Sequence, residues 1–155
     1  ALSGLSVTVS CAILVFVFLL FGKTKLHRSL LAFNLAVGVW GLGLFLVGVA
    51  GSESRALVAW NIAHMGGLFV GPAFFYFVTV FCGLRRRKIL AFAFLQGLFF
   101  ASLILGTHLP YHKTRFVHEL YYLDPNPPSA VFGVFIMIGS FVILRVGSSA
   151  LTQEN

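Results

Sequence analysis

Long apolar stretches with almost no charged residues constrain this chain more than any other feature of its sequence. A helix needs about 20 apolar residues, with a usable range of about 17–25, to cross the hydrocarbon core of a bilayer. Five runs meet or exceed that minimum: residues 5–21, 30–50, 56–82, 89–105 and 130–146. The period-2 alternation of membrane strands is absent. The sequence therefore predicts an all-α, polytopic transmembrane helix bundle of five spans, forming one domain over residues 1–155.

The composition agrees with this class. The chain is 59% hydrophobic and 10% charged, whereas a soluble domain is usually about 45–50% apolar and about 25% charged. No basic residue precedes the first run, and Lys23, Lys25 and Arg28 follow it. This pattern predicts a retained anchor with its N-terminus outside, and not a cleaved signal peptide.

The basic residues fall unequally on the two sides of the predicted bundle. Eight lie on the side of the first and third connections: Lys23, Lys25, Arg28, Arg85, Arg86, Arg87, Lys88 and Arg145. Three lie on the other side: Arg55, Lys113 and Arg115. The positive-inside rule therefore predicts an outside N-terminus and a cytoplasmic C-terminus. The net charge of +7 follows from topology, so the expected partner is a lipid bilayer and no nucleic acid is required.

The fourth connection, residues 106–129, contains several residues that could bind a metal ion. Its histidines are His108, His112 and His118. Pro110 interrupts any helical register between the first two, so the tight ligand spacing of a metal site is missing. We expect no metal and no cofactor here, and predict an interfacial loop whose tyrosines lie at head-group level.

The third span carries polar residues that are costly to place in a lipid environment. His64 lies about eight residues below the predicted outer end, or roughly 12 Å of helix rise. Ionisable groups at such depth face the bundle interior or a wet cavity. Pro72 cannot donate to the carbonyl of Leu68 and so permits a kink. One interpretation is a site that senses a ligand, a proton or a signal. The other is a neutral core histidine that hydrogen-bonds a neighbour such as Asn34 or Ser140.

Small residues at helical spacing predict close helix packing. In the third span Ala59, Ala63, Gly67 and Gly71 form a small-xxx-small series on the face of Trp60 and His64. Small residues let helices in lipid approach closely. Together with the second span, they give a set of predicted packing or hinge positions: Gly38, Gly41, Gly67, Gly71 and Pro72. The candidate ligand-binding residues are Asn34, Trp40, Trp60, Asn61 and His64.

Two stretches of this sequence resemble a known family. They are FNLAVGVW at residues 33–40 and WNIAHMGGLFVGPAFFYFV at residues 60–78, the latter followed by a basic connection. Their order resembles the seven-transmembrane N-terminal sensor region of bacterial histidine kinases. In that family an Asn begins the second span with a Trp six residues on, as Asn34 and Trp40 do here. The third span runs from an aromatic residue through glycine to proline, as from Trp60 to Pro72.

The resemblance implies a sensory domain in the bacterial cytoplasmic (inner) membrane that controls a kinase or related output. Family members have seven spans and a cytoplasmic output domain, so we expect either a portion of a sensor or a stand-alone relative. The implied partners are a small amphipathic ligand of unknown identity and, through the parent protein, a second copy in a homodimer.

Other function classes are less well supported by the residues. A small transporter or channel subunit is the alternative, although no acidic or basic residue lies well inside a span and no inverted repeat is evident. Enzyme motifs such as HExxH and GxSxG are absent, so we expect no catalytic residues. Because His64 is the one deep histidine, we also expect no haem and a colourless protein.

Overall fold

A computed structural model of the chain describes residues 2–22, 24–84, 87–106, 114–117 and 120–123. These residues contain four helices and one two-stranded hairpin. The helices are α1 (Leu2–Phe21), α2 (Lys25–Gly48), α3 (Glu53–Phe81) and α4 (Arg87–Gly106). All four are long and apolar enough to cross a membrane, which confirms the helical class and the first four spans by length and composition. The fifth predicted span, 130–146, and the three loop histidines lie outside the described residues.

Side-chain caps set the first residues of two helices. The hydroxyl of Thr24 accepts a hydrogen bond from the N–H of His27 at 3.3 Å and begins α2. Ser52 accepts in the same way from the N–H of Arg55 at 3.4 Å and begins α3. Because a cap satisfies N–H groups of the first turn, each helix starts several residues before its apolar run.

Gly83 follows the last turn of α3 and has a left-handed backbone conformation, with φ 70°. The N–H of Leu84 donates to the carbonyl of Thr79 at 2.8 Å, and the N–H of Gly83 donates to the carbonyl of Val80 at 3.3 Å. This pair of bonds is the Schellman arrangement, which needs a residue that tolerates positive φ. The chain is thereby turned out of α3 just before the basic connection.

The helices pack in sequence order. α2 packs against both α1 and α3, and α4 packs against α3. Short connections make consecutive helices antiparallel. One end of the bundle therefore gathers the starts of α2 and α4, and we call it the basic end. The other end holds the start of α3 and the hairpin, and we call it the hairpin end.

α2 and α3 approach each other at backbone distance. A Cβ at Gly66 would overlap the main chain of Trp40, with its Cα only 2.7 Å away. A Cβ at Gly43 would overlap the main chain of Ala63. The two contacts are reciprocal and one helical turn apart. We call this contact the α2–α3 seam. Only glycine at positions 43 and 66 permits so short a distance between the two helices.

A second seam of the same kind joins α1 to α2. A Cβ at Gly4 would lie 2.7 Å from the nitrogen of Phe45 and 2.8 Å from the carbonyl oxygen of Gly41. Farther along, a Cβ at Gly38 would lie 3.2 Å from the Cβ of Cys11. Gly38 and Gly41 therefore do pack against a neighbouring helix, and that helix is α1.

The buried residues are small and the large apolar residues point outward. The largest fully buried side chain in the described part is that of Ser29. By contrast, Phe16 is 62% exposed, Leu19 66% and Phe81 70%. A soluble protein of this size would bury such side chains. This arrangement is typical of helices that pack through small residues and present large ones to lipid.

The connection predicted as an interfacial loop contains two short strands. β1 (Thr114–Val117) pairs antiparallel with β2 (Leu120–Leu123), with Thr114 opposite Leu123. The hairpin contacts both α2 and α3. Aromatic and β-branched residues favour such pairing even over four residues. The hairpin therefore places backbone against the polar part of α3.

Candidate functional site

Trp60 joins the hairpin to α3. Its indole N–H donates a hydrogen bond to the main-chain carbonyl of Tyr121 at 3.0 Å. Its ring also lies against that of His64, with 5.7 Å between centroids and 47° between planes. The bond joins residues 61 positions apart, so it is a tertiary contact and not a property of one helix.

The ring of His64 is oriented by its own helix. Its Nδ1 lies 2.7 Å from the carbonyl oxygen of Trp60, one turn earlier. Because a carbonyl only accepts, Nδ1 carries the proton in this bond, and Nε2 is the accepting nitrogen of the neutral ring. A polar residue at this depth thus satisfies one nitrogen locally, as the core-histidine interpretation requires. The partner is Trp60, which sequence reasoning did not name.

Trp40 contributes to two features at once. Its main chain is the part of α2 that lies against Gly66 in the α2–α3 seam. Its indole lies beside Gly67, where a Cβ would be 3.6 Å from the ring. The side chain is nevertheless 43% exposed. The ring therefore forms a wall at the edge of the seam.

The face of α3 that carries Gly67 and Gly71 is open among the described residues. Both glycines are exposed. A Cβ at Gly71 would meet nothing within 4 Å of the described residues, and one at Gly67 would meet only the Trp40 ring. Among the described residues, Gly66 and Ala63 make the close contact with α2, and the packing of Gly67 and Gly71 against another helix stays a prediction. The hinge role of Gly71 and Pro72 stays a prediction, and α3 remains helical through Pro72.

Four of these residues share one side of α3. Trp60, His64 and Gly67 fall within about 60° of one another around the helix, at 100° per residue, and Gly71 lies in the same sector. The Trp40 ring stands beside Gly67. We call these five residues the α3 groove. Its polar side chains lie nearer the hairpin end, and its two glycines lie farther along α3.

Two of the predicted ligand-binding residues lie elsewhere. Asn34 is buried, and it lies about 180° around α2 from Gly43 of the α2–α3 seam. It shares its side of α2 with Gly38 and Gly41, which face α1. Asn61 is half-buried and lies about 100° around α3 from Trp60. The structure therefore brings Trp40, Trp60 and His64 together without Asn34 or Asn61.

Four buried or half-buried polar side chains of α1, α2 and α3 bond to carbonyls of their own helix. The amide of Asn34 donates to the carbonyl of Leu30 at 2.8 Å. The hydroxyls of three further residues do the same, each at 2.8 Å: Thr8 to Gly4, Ser29 to Leu26 and Thr79 to Tyr76. An apolar surrounding offers no water, so a nearby carbonyl is the available acceptor. Each of these four side chains thus has a hydrogen-bond partner within its own helix.

Sequence reasoning overlooked Gly66, Gly43 and Gln96. The signal for the glycines is a 3-and-4 spacing of small residues, in which Ala56, Ala59, Ala63 and Gly66 are all buried. Gln96 of α4 has a side-chain oxygen that is buried without a hydrogen-bond partner among the described residues. A lone amide in an apolar run is the only sequence signal for it.

Comparison with known proteins adds no assignment to this geometry. No protein-family model, no curated protein and no solved structure matches the chain.

Proposed function

We propose that this chain is a membrane-embedded sensory domain that relays a small-molecule or membrane signal to a cytoplasmic output domain. The resemblance to the N-terminal region of bacterial histidine kinases supports that class, with the bacterial inner membrane as its location. Any catalytic activity then belongs to a domain outside this chain. The proposed ligand is small and amphipathic, and it enters the α3 groove.

One observation carries this proposal. Trp40 takes part in the seam through its main chain at Gly66 and in the groove through its indole beside Gly67. A ligand that contacts the indole therefore acts at the closest point of helix–helix approach. A ligand shifts an equilibrium between two packings only if it binds one of them better. Contact with Trp40 supplies that difference, because a changed seam moves the ring that lines the groove.

The topology completes the proposal. The N-terminus and the hairpin end lie outside, the basic end faces the cytoplasm, and residues 130–146 form a fifth span. A homodimer through the parent protein transmits the change. A transporter or channel is the competing class, and it is disfavoured because no charged residue occurs in residues 29–48, 56–81 or 89–106. If proteoliposomes that contain the purified chain showed ion or solute flux, the transporter or channel class would replace the sensory proposal.

Binding is tested with the protein's own fluorescence. Trp40 and Trp60 are the two tryptophans of the chain, and both line the α3 groove. A brominated medium-chain fatty acid in nanodiscs should quench their emission saturably. Gly71→Leu should abolish the saturable part by filling the glycine end of the α3 groove, whereas Val58→Leu, on the exposed part of α3, should not. Purely linear quenching in the wild-type protein would contradict a groove that binds amphiphiles.

Signalling is tested in a chimera with a histidine-kinase output domain. His64→Ala and Trp60→Ala should change the signal-dependent output while expression and membrane insertion stay normal. Val58→Ala is the matched control on the same helix. If His64→Ala lowers stability and leaves signalling unchanged, His64 is a core histidine, and the site must be sought in residues 106–129.

A further inference from the structure

The basic end of the bundle carries exposed cations on two separate helices. Lys25 and Arg28 lie in the first turn of α2, and Arg87 and Lys88 open α4. All four side chains are exposed. The connections at this end add Lys23, Arg85 and Arg86 in the sequence.

No carboxylate of the described residues neutralises these cations. Of the four acidic residues in the chain, Glu53 alone falls within the described residues. Glu53 begins α3, and so it lies at the hairpin end. The described part of the basic end is therefore positive without internal compensation.

The cations do not stabilise the helices that carry them. The N-terminus of a helix bears the positive end of its dipole, which favours acidic residues and disfavours basic ones. The first turns of α2 and α4 contain no acidic residue. Helix stability therefore does not account for the cations at these two helix starts.

The placement of the cations fits an extended partner. α2 and α4 each pack on α3, and they are not among the helix pairs with extensive contact in the described residues. The two pairs of cations therefore lie on helices that do not pack closely on each other. A plane of head groups can contact both pairs at once.

We propose that the basic end binds the phosphate groups of anionic phospholipids in the bilayer leaflet that it faces. The clusters Lys25–Arg28 and Arg87–Lys88 each contact separate head groups. Basic residues beside a membrane are attracted to anionic lipid, with a strength that decreases as salt increases. This proposal requires membrane insertion and is independent of the sensory role.

The test measures lipid selectivity of the full chain. The purified protein is placed in vesicles of phosphatidylcholine and phosphatidylglycerol in equal parts, with spin-labelled forms of each lipid. The wild-type protein should prefer the labelled phosphatidylglycerol, and high salt should reduce that preference. The variant Lys25→Gln/Arg28→Gln/Arg87→Gln/Lys88→Gln should lower the relative association constant by at least about fivefold, the value expected for one basic residue near an anionic surface.

Control variants separate the loss of lipid binding from a loss of folding. Arg55→Gln removes an exposed cation at the hairpin end and should leave the selectivity unchanged. In pure phosphatidylcholine the fourfold variant should unfold no more readily than wild type, because its helix dipoles are relieved of cations. If that variant does not fold, the two pairwise variants Lys25→Gln/Arg28→Gln and Arg87→Gln/Lys88→Gln should each lose part of the preference. Wild-type selectivity in the variants, or full competition by inorganic phosphate, would overturn the proposal.

Discussion

The indole N–H of Trp60 donates to the main-chain carbonyl of Tyr121 at 3.0 Å. The same tryptophan contacts the ring of His64 and accepts its Nδ1–H through its own carbonyl. Trp60 therefore connects a hairpin at one end of the bundle to the one deep histidine of α3. One path of contacts from the hairpin to His64 therefore runs through Trp60.

Removing this hydrogen bond should loosen the hairpin without unfolding the helices. Trp60→Phe keeps an aromatic ring but loses the donor, so the cost should be that of one hydrogen bond, about 0.5–1.5 kcal/mol. Hydrogen exchange at the amides of residues 120–123 should accelerate. Trp40→Phe is the matched control, since that indole takes no part in the bond. Unchanged exchange in Trp60→Phe would show that the hairpin is held by other contacts.

Replacing each of two adjacent glycines in α3 by alanine should change the stability of the protein in opposite directions. A methyl group at Gly66 meets the main chain of Trp40, which cannot move aside without separating two helices. Gly66→Ala should lower the free energy of unfolding by about 1–3 kcal/mol, the usual cost of overpacking. At Gly67 the nearest atom is 3.6 Å away, an ordinary contact, and alanine also has the better helix propensity.

Unfolding in detergent measures this difference. The free energy of unfolding of Gly67→Ala should equal or exceed that of the wild-type protein. Gly71→Ala is a second control, because the described residues leave its surroundings open. Equal destabilisation by Gly66→Ala and Gly67→Ala would place the seam where the four-residue spacing predicts it.

The register of this seam explains why the sequence predicted one part of the fold and missed another. Span positions could be predicted because charges and caps bound each apolar run. The four-residue series of small residues does not coincide with the α2–α3 seam, because each four-residue step turns the helix by an extra 40° or so. Over the three steps from Ala59 to Gly71 the drift reaches about 120°, so both cannot face one partner. The 3-and-4 spacing through Ala63 and Gly66 stays in register.

The candidate site was predictable in its residue types and only partly in its membership. Depth and polarity indicate His64, and the structure places Trp60 beside it and the Trp40 ring beside Gly67, one turn farther along α3. Asn34 satisfies its amide within α2, which no sequence pattern distinguishes from binding a ligand. The hairpin escaped prediction because two strands of four residues give almost no periodic signal.

Gln96 offers a test of polar burial in α4. Its side-chain oxygen is buried without a partner among the described residues, and an unmade hydrogen bond costs about 1–3 kcal/mol. Gln96→Met keeps the length of the side chain and removes the amide, so the free energy of unfolding should increase.

Thr79→Val is the comparison, since that hydroxyl already bonds to Tyr76 at 2.8 Å. Its replacement should change stability by less than about 1 kcal/mol, because it removes a donor together with its need for an acceptor. A Gln96→Met variant less stable than wild type would reveal a hydrogen bond from outside the described residues.

The orientation of the bundle can be read from a cysteine that the chain already has. Cys82 is exposed just after α3, at the basic end, whereas Cys11 is buried against α2. If eight of the eleven basic residues mark the cytoplasmic side, a membrane-impermeant maleimide should leave Cys82 unlabelled in intact cells and label it after lysis.

Gly51→Cys in a Cys82→Ser background gives the opposite probe. Gly51 is exposed at the hairpin end, and a Cβ there meets nothing within 4 Å of the described residues. That cysteine should react in intact cells. The reverse pattern would place the hairpin and the α3 groove on the cytoplasmic side, and ligand entry from outside would have to be abandoned.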